Sequence, residues 1–139
     1  MRIRRGICRT VLLIGPFAVK VPSLRANGHG AGGVIWSICR GILANQSERS
    51  WTGYEGLCPV RWSLAGLVNI YPRCEPVTGY DGDYTEVCTM VPASMADRKA
   101  ENLGRLDGRL VWVDYDMNWN GCPHSRMVVE PDPEETCNP

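Results

Sequence analysis

The chain has 139 residues, the length of one domain whose core is large enough to fold without disulfide bonds. Fifteen Lys and Arg residues balance fifteen Asp and Glu residues, so no basic face is implied and nucleic acid is not an expected partner. No apolar stretch approaches about 18 residues, so no transmembrane helix is expected. MRIRR followed by TVLLIGPFAV imitates a signal peptide. Lys20 closes the apolar run without a clean cleavage site, however, and no cleaved signal is expected.

The first predicted element is a β-hairpin. It is formed by the runs TVLLIG and FAVKVP, which are separated by Gly15-Pro16. The Gly-rich stretch 23–33 has neither a GxGxxG nor a Walker spacing, and it is predicted to be a flexible connector. From residue 33 to about residue 52 a helix is predicted, because apolar residues recur there at helical spacing: Val34, Ile35, Ile38, Ile42 and Leu43.

A second hairpin is predicted from LCPVRWS and GLVNIYPR, joined by a turn at 64–66. A polar turn-rich stretch at 78–85, a turn at Asp107-Gly108 and the strand RLVWVDY follow. The prediction is an α+β fold with a mostly antiparallel sheet and one main helix. It is taken as a single domain over 1–139, with a core at about 10–116 and an irregular tail at 117–139.

The seven cysteines are odd in number and contain no CxxC pair. An even count is usual for a secreted disulfide framework, so the main prediction is that they are thiols and mostly buried. Two alternatives stay open: one or more disulfides, or a metal site that uses Cys122 and His124. The first of these would make the chain a cysteine-stapled structural protein.

The segment DRKAEN carries the residue types that phosphoryl transfer uses. Asp97, Lys99 and Asn102 stand at offsets 0, 2 and 5, and Asp114 follows Asn102 by twelve residues at the end of an apolar strand. Phosphoryl transfer needs a carboxylate that orients the acceptor, a cation that offsets charge, and oxygen ligands for magnesium. Asp97 suits the first role and Lys99 the second, and Asn102 and Asp114 suit the third.

These motifs resemble those of the protein-kinase-like superfamily, whose catalytic loop has Asp, Lys two residues later and Asn five residues later. The metal-binding Asp of that family ends a strand about a dozen residues further on, as in VWVDYD. FAVK resembles the third strand that ends in the phosphate-binding lysine, which is Lys20 here, and Glu48 is the acidic residue of the helix that would pair with it. GLVNIYPRCEP resembles the fifth strand and the hinge that follows it.

More narrowly, the chain resembles small kinase-like proteins of phages and prophages. The resemblance, over about 10–116, implies a kinase N-lobe with a truncated C-lobe, and ATP with Mg²⁺ as cofactors. Lys20 and Glu48 would bind the cofactor, Asn102 and Asp114 the metal, and Asp97 and Lys99 would be catalytic. It also implies a nucleotide partner, a phage or host protein as a further partner, and the cytoplasm of an infected or lysogenic bacterium or, alternatively, a virion as the location.

Several residues depart from the family pattern. Gly6 stands alone where a Gly-rich phosphate loop has three glycines, Met95-Ala96 replace the residues before the catalytic Asp, and Asp116 replaces a glycine of the metal motif. An alternative interpretation is therefore a catalytically inactive kinase-like scaffold. It would act as a small binding protein, either an inhibitor of a host enzyme or defence system or a virion component.

Each candidate residue also has a purely structural interpretation. Lys20 can protect an edge strand from aggregation, and Glu48 can be an ordinary solvated helix residue. Asp97 and Lys99 can form a surface ion pair of little energetic value. Asn102 can hydrogen-bond its own loop.

Overall fold

The computed structural model describes residues 1–6, 8–25, 30–77, 85–91 and 99–115, with the backbone alone described for 30–32. The elements in these ranges are β1 (Arg2–Arg5), β2 (Arg9–Ile14), β3 (Phe17–Pro22), α1 (Gly30–Ser50), β4 (Trp62–Leu64), β5 (Val68–Pro72), β6 (Glu75–Pro76), α2 (Thr85–Thr89), a 3-10 turn (Ala100–Asn102), β7 (Leu103–Leu106) and β8 (Arg109–Trp112).

The chain divides into two compact units. The first comprises 1–52 and 59–73, and the second comprises 53–58 and 74–139. The predicted α+β class, with mostly antiparallel strands and one main helix, is confirmed. Among the described helices, none combines the length and the apolar character that crossing a membrane would require.

The first unit holds a five-stranded antiparallel sheet in the order β1-β2-β3-β5-β4. Both predicted hairpins, β2–β3 and β4–β5, are present. The basic run RIRR forms the edge strand β1 with all four side chains exposed. β3 lies between β2 and β5, so Lys20 is not on an edge strand as its structural interpretation required.

Helix α1 belongs to the same unit and packs mainly against β3, with further contacts to β2 and β5. The helix was predicted to begin near residue 33 and begins at Gly30, so the end of the Gly-rich connector is helical. The predicted apolar stripe is not the most buried face, since Ile35 is 65% exposed and Leu43 is 48% exposed, although Ala44 is buried. The fully buried side chains of α1 are polar instead: Ser37, Asn45 and Glu48.

The turn between β4 and β5 sets the position of the helix against the sheet. Ala65 and Gly66 both have positive φ, 48° and 80°, in a turn that the amide of Leu67 closes by donating to the carbonyl of Leu64 at 2.8 Å. A Cβ at Gly66 would lie 2.6 Å from the carbonyl oxygen of Ile42 in α1. Glycine therefore lets the turn approach the helix backbone closely.

The second unit holds the three-stranded antiparallel sheet β6-β7-β8. β7 and β8 form a hairpin whose turn, Asp107-Gly108, was predicted and has φ values of 51° and 82°. The segment 53–58 lies beside β8, where the backbone amide of Trp112 donates to Gly56 and its carbonyl accepts from Cys58. The helix α2 and the strand β7 were not predicted. The apolar core of this unit comprises Leu57, Val87, Leu103, Val111, Trp112 and Tyr115.

The five described cysteines, Cys8, Cys39, Cys58, Cys74 and Cys88, are in the thiol form, as the main prediction held. The expectation that they are mostly buried is only partly right, because Cys58 and Cys88 are buried while Cys39 is exposed. Cys39 lies on the outward side of α1, which the polar sheet–helix interface leaves exposed. Cys122 and Cys137 lie outside the described residues.

Candidate functional site

The first candidate residue, Lys20, lies on β3 with its side chain on the face that α1 covers. It is opposite Val11 of β2 and Asn69 of β5, and it is only 5% exposed. Burying an ammonium group costs several kcal/mol unless a counter-charge accompanies it. The position of that counter-charge therefore decides whether the fold can hold Lys20 there.

Glu48, near the end of α1, supplies the counter-charge. Its carboxylate is fully buried, and Lys20 Nζ donates to Oε1 at 2.7 Å across 28 residues of sequence. Glu48 is therefore not the solvated helix residue of its structural interpretation. The structure thus brings together the two residues that the sequence analysis assigned to cofactor binding, and their role toward phosphate stays a prediction.

Two further residues meet Glu48 that the sequence analysis did not identify. Arg9 Nη1 lies 2.9 Å from Oε2, which is an ion pair by distance rather than an aligned hydrogen bond. The Tyr71 hydroxyl donates to the same Oε2, and the Tyr71 ring centroid lies 4.9 Å from Lys20 Nζ. Glu48 is thus the acidic centre of a cluster, and we call Arg9, Lys20, Glu48 and Tyr71 the Glu48 cluster.

Two buried asparagines connect the Glu48 cluster to the backbone. Asn45 Nδ2 donates to the carbonyl of Lys20 at 3.3 Å and to that of Gly66 at 2.8 Å. Asn69 Nδ2 donates to the carbonyl of Asn45 at 2.7 Å and to the Tyr71 hydroxyl at 3.1 Å. These bonds tie α1, β3 and β5 together around Glu48, so the cluster is held by directional contacts rather than by apolar packing.

A signal for the missed residues exists in the strand alternation. Because side chains two apart on a strand share a face, Arg9 shares the face of Val11, and Tyr71 shares that of Asn69. The register places Lys20 opposite both Val11 and Asn69. With this register known, Arg9 and Tyr71 would be expected on the same face of the sheet as Lys20. The sequence alone does not give that register.

We expect Tyr71→Phe to lower the free energy of unfolding by about 1–3 kcal/mol, because it removes a donor to Glu48 and leaves the Asn69 amide without its hydroxyl acceptor. Urea unfolding measures the change. Tyr54→Phe is the matched control, since Tyr54 is 46% exposed and the same change should cost less than about 0.5 kcal/mol. Equal costs for the two variants would contradict the assigned role of the Tyr71 hydroxyl.

The remaining candidates belong to the second unit. Asn102 ends the 3-10 turn, and its carbonyl accepts from the amide of Val113 at 2.8 Å. Asp114 is the next residue after Val113 and is partly buried. Asn102 and Asp114 therefore lie at the same end of the β7–β8 hairpin, opposite the Asp107-Gly108 turn.

The donor set at this hairpin end fits magnesium chemically. Magnesium in phosphoryl-transfer sites takes one or two protein carboxylates, with the remaining ligands from phosphate and water. Asp114 supplies a carboxylate and Asn102 an amide oxygen. In the described part of the chain, no group of three or more His, Cys, Asp or Glu side chains is arranged to hold a metal by itself.

The two candidate catalytic residues are described unequally. Lys99 precedes the 3-10 turn, is exposed, and its carbonyl accepts from the amide of Asn102 at 2.8 Å. Asp97 lies outside the described residues. The second unit thus brings together Lys99, Asn102 and Asp114 along one short segment and its hairpin, and the first unit brings together Lys20 and Glu48.

The class that fold and geometry define is an α+β protein with a buried, charged sheet–helix interface. No protein-family model, curated protein or solved structure matches this chain. Its function therefore has to be inferred from its own residues.

Proposed function

We propose that the chain is a minimal kinase-like protein that binds ATP with magnesium. Lys20 would hold the phosphates, and Glu48 would orient Lys20. Asn102 and Asp114 would bind the metal, Asp97 would face the phosphate acceptor, and Lys99 would offset charge. The observation that carries the proposal is the buried ion pair between Lys20 and Glu48.

A buried ion pair usually adds little to the free energy of unfolding compared with apolar residues in its place. Replacing such a pair by apolar residues of similar volume is often neutral or stabilising. Here the fold also orders Arg9 and Tyr71 around the same carboxylate. Since apolar residues would serve packing at least as well, the presence of these buried charges favours a role for Lys20 beyond packing.

The positions of the motifs along the fold also support the proposal. FAVK lies in the third strand, and VNIYP forms the fifth strand, in agreement with the resemblance. The boundary between the two compact units follows Arg73, within the segment YPRCEP that resembles the kinase hinge. DRKAEN is followed by a hairpin whose second strand leads into Asp114.

Each residue has a definite task in this proposal. An ammonium carries three donors, and Glu48 Oε1 holds Lys20 by one of them in a fixed orientation. Tyr71 and Arg9 keep the carboxylate of Glu48 in place, so Lys20 does not have to be reordered when an anion binds. Bound ATP would supply the phosphoryl group, and magnesium would offset its charge.

A second candidate function is a kinase-like binding protein without catalysis. The observation that favours it is the connection between β1 and β2, which spans only residues 6–8. The amide of Gly6 donates to the carbonyl of Arg9 at 2.8 Å, so the strands close directly onto each other. A phosphate-cradling loop needs more backbone than this. In that case the partner would be a host or phage protein.

A thermal-shift titration with ATP and magnesium tests the proposal. Ligand at 100 times its dissociation constant stabilises a protein by about 2.7 kcal/mol, so a saturating titration should raise the melting temperature by several degrees. Lys20→Met should abolish the shift, because the phosphates would lose their cation. Each variant is compared with its own unliganded sample, so a change in intrinsic stability does not affect the comparison.

Arg61→Met is the matched control for this titration, because it removes an exposed cation from the same unit. It should keep the full shift. Absence of a shift in the unaltered chain, or an equal shift in Lys20→Met, would overturn the nucleotide site. A shift without transfer of labelled γ-phosphate to any acceptor would select the non-catalytic candidate.

A further inference from the structure

Two cysteines of the second unit are joined by a hydrogen bond, in which the Cys74 thiol donates to Cys58 Sγ, and not by a disulfide. Cys58 Sγ and Cys74 Sγ are 3.3 Å apart, although the residues are 16 positions apart in sequence. Both are in the thiol form. A disulfide has an S–S length of about 2.05 Å, so the sulfurs need to approach by only about 1.2 Å.

Cys58 is held by its backbone hydrogen bonds and Cys74 by packing against the sheet. The Cys58 amide donates to the carbonyl of Trp112 at 2.9 Å, and its carbonyl accepts from the Tyr115 hydroxyl at 2.7 Å. Cys74 packs against Gly104, where an added Cβ would lie 2.7 Å from the Cys74 Cβ. The approach of the two sulfurs is therefore a property of the folded β-sheet and its neighbouring segment.

The two thiols differ in exposure. Cys58 is 2% exposed, whereas Cys74 is only partly buried. An external reagent therefore meets Cys74 first, and Cys58 lies where it can attack Cys74 Sγ once that sulfur carries a mixed disulfide. This is the arrangement of a reactive thiol with a resolving thiol.

We propose that Cys58 and Cys74 form a thiol–disulfide exchange site whose substrates are small disulfides such as oxidised glutathione. The Cys74 thiolate attacks one sulfur of the reagent and releases one thiol, which leaves a mixed disulfide. The Cys58 thiolate then attacks Cys74 Sγ and releases the second thiol. The two cysteines are oxidised and lose two protons, and the reagent is reduced to two thiols that take up those protons.

The bond would join the two ends of the segment 59–73. That segment contains β4 and β5 and belongs to the first unit, while Cys58 and Cys74 belong to the second. Oxidation therefore closes a loop at the two places where the chain passes from one unit to the other. This inference does not depend on the proposed function, because it rests on the thiols alone.

The test incubates the folded full-length chain with glutathione buffers of increasing oxidised fraction, followed by acid quenching, alkylation and non-reducing peptide mapping. The expected main product is a Cys58–Cys74 linkage. Its formation should raise the melting temperature by about 10 °C, reversibly with reductant, as expected for a loop of this length. Cys39 is the internal comparison, since it is the most exposed described thiol and should carry only a mixed disulfide.

Two serine variants complete the design. In Cys58→Ser, Cys74 should accumulate as the mixed disulfide with glutathione, whereas in Cys39→Ser the Cys58–Cys74 linkage should form unchanged. The proposal is overturned if the unaltered chain keeps Cys74 as a mixed disulfide. It is equally overturned if Cys58 and Cys74 link no faster than other cysteine pairs. Neither outcome depends on nucleotide binding.

Discussion

Glu48→Gln is expected to lower the free energy of unfolding by about 3–5 kcal/mol, because it removes the acid from a buried group of cations. Glutamine keeps the size of the side chain but carries no charge. Lys20 and Arg9, both at most 10% exposed as side chains, would lose their contact with a carboxylate. Since small domains are stable by only about 5–15 kcal/mol, the loss is a large fraction of the total. Urea unfolding followed by circular dichroism measures it.

The Glu48 cluster contains one carboxylate and two cations, so removing one cation is a control for removing the carboxylate. Lys20→Met leaves Glu48 paired with Arg9 and hydrogen-bonded to Tyr71, so it should cost less than Glu48→Gln. Glu55→Gln removes an exposed partner of Arg109, in a pair whose side chains are 70% and 67% exposed, and should cost at most about 1 kcal/mol. A cost for Glu48→Gln no greater than that for Glu55→Gln would show that the cluster does not hold the fold.

The pairing of Lys20 with Glu48 was predicted through the resemblance to kinases. FAVK resembles the strand that ends in a lysine, and Glu48 is the one acidic residue of the predicted helix. The resemblance to kinases then connected residues that lie 28 positions apart. Periodicity alone would have placed the strand and the helix without joining them.

The buried face of α1 could not be predicted in the same way. Periodicity in Val34 to Leu43 indicated a helix correctly, but the fully buried side chains of α1 are polar, and Ile35 and Leu43 are exposed. The choice of face depends on what the opposite surface presents, and here β2, β3 and β5 present Arg9, Lys20 and Asn69. The polar face of the helix therefore packs against the polar face of the sheet. Hydrophobic spacing carries no information about this, because it ignores the partner.

The hairpin that carries Asn102 and Asp114 was only half predicted. Asp107-Gly108 indicated its turn, and RLVWVDY its second strand, since both follow local rules. The first strand, LGRL, has a glycine and a charge that weaken the strand pattern. Gly104 is needed there because a Cβ would lie 2.6 Å from Val113 and 2.7 Å from Cys74. That requirement comes from packing across the sheet, which short-range patterns do not contain.

Asp114→Asn is expected to remove the part of the ATP stabilisation that depends on magnesium, and to weaken the binding of ATP in the presence of magnesium at least tenfold. The substitution keeps the side-chain size but removes the charge that a hard divalent cation selects. ATP without magnesium should bind the variant and the unaltered chain equally, because the proposed phosphate contact is Lys20. Isothermal titration calorimetry with and without magnesium separates the contribution of the metal to the binding free energy from that of the phosphate contact.

Asp107→Asn is the matched control, because it makes the same chemical change at the opposite end of the same hairpin. Asp107 is exposed and has a φ of 51°, a conformation that asparagine tolerates as well as aspartate. Its magnesium-dependent binding should equal that of the unaltered chain. If Asp114→Asn and Asp107→Asn behave alike, Asp114 is not the metal ligand. If only Asp114→Asn loses the magnesium-dependent term, the carboxylate after β8 acts on the metal, as the spacing from Asn102 predicts.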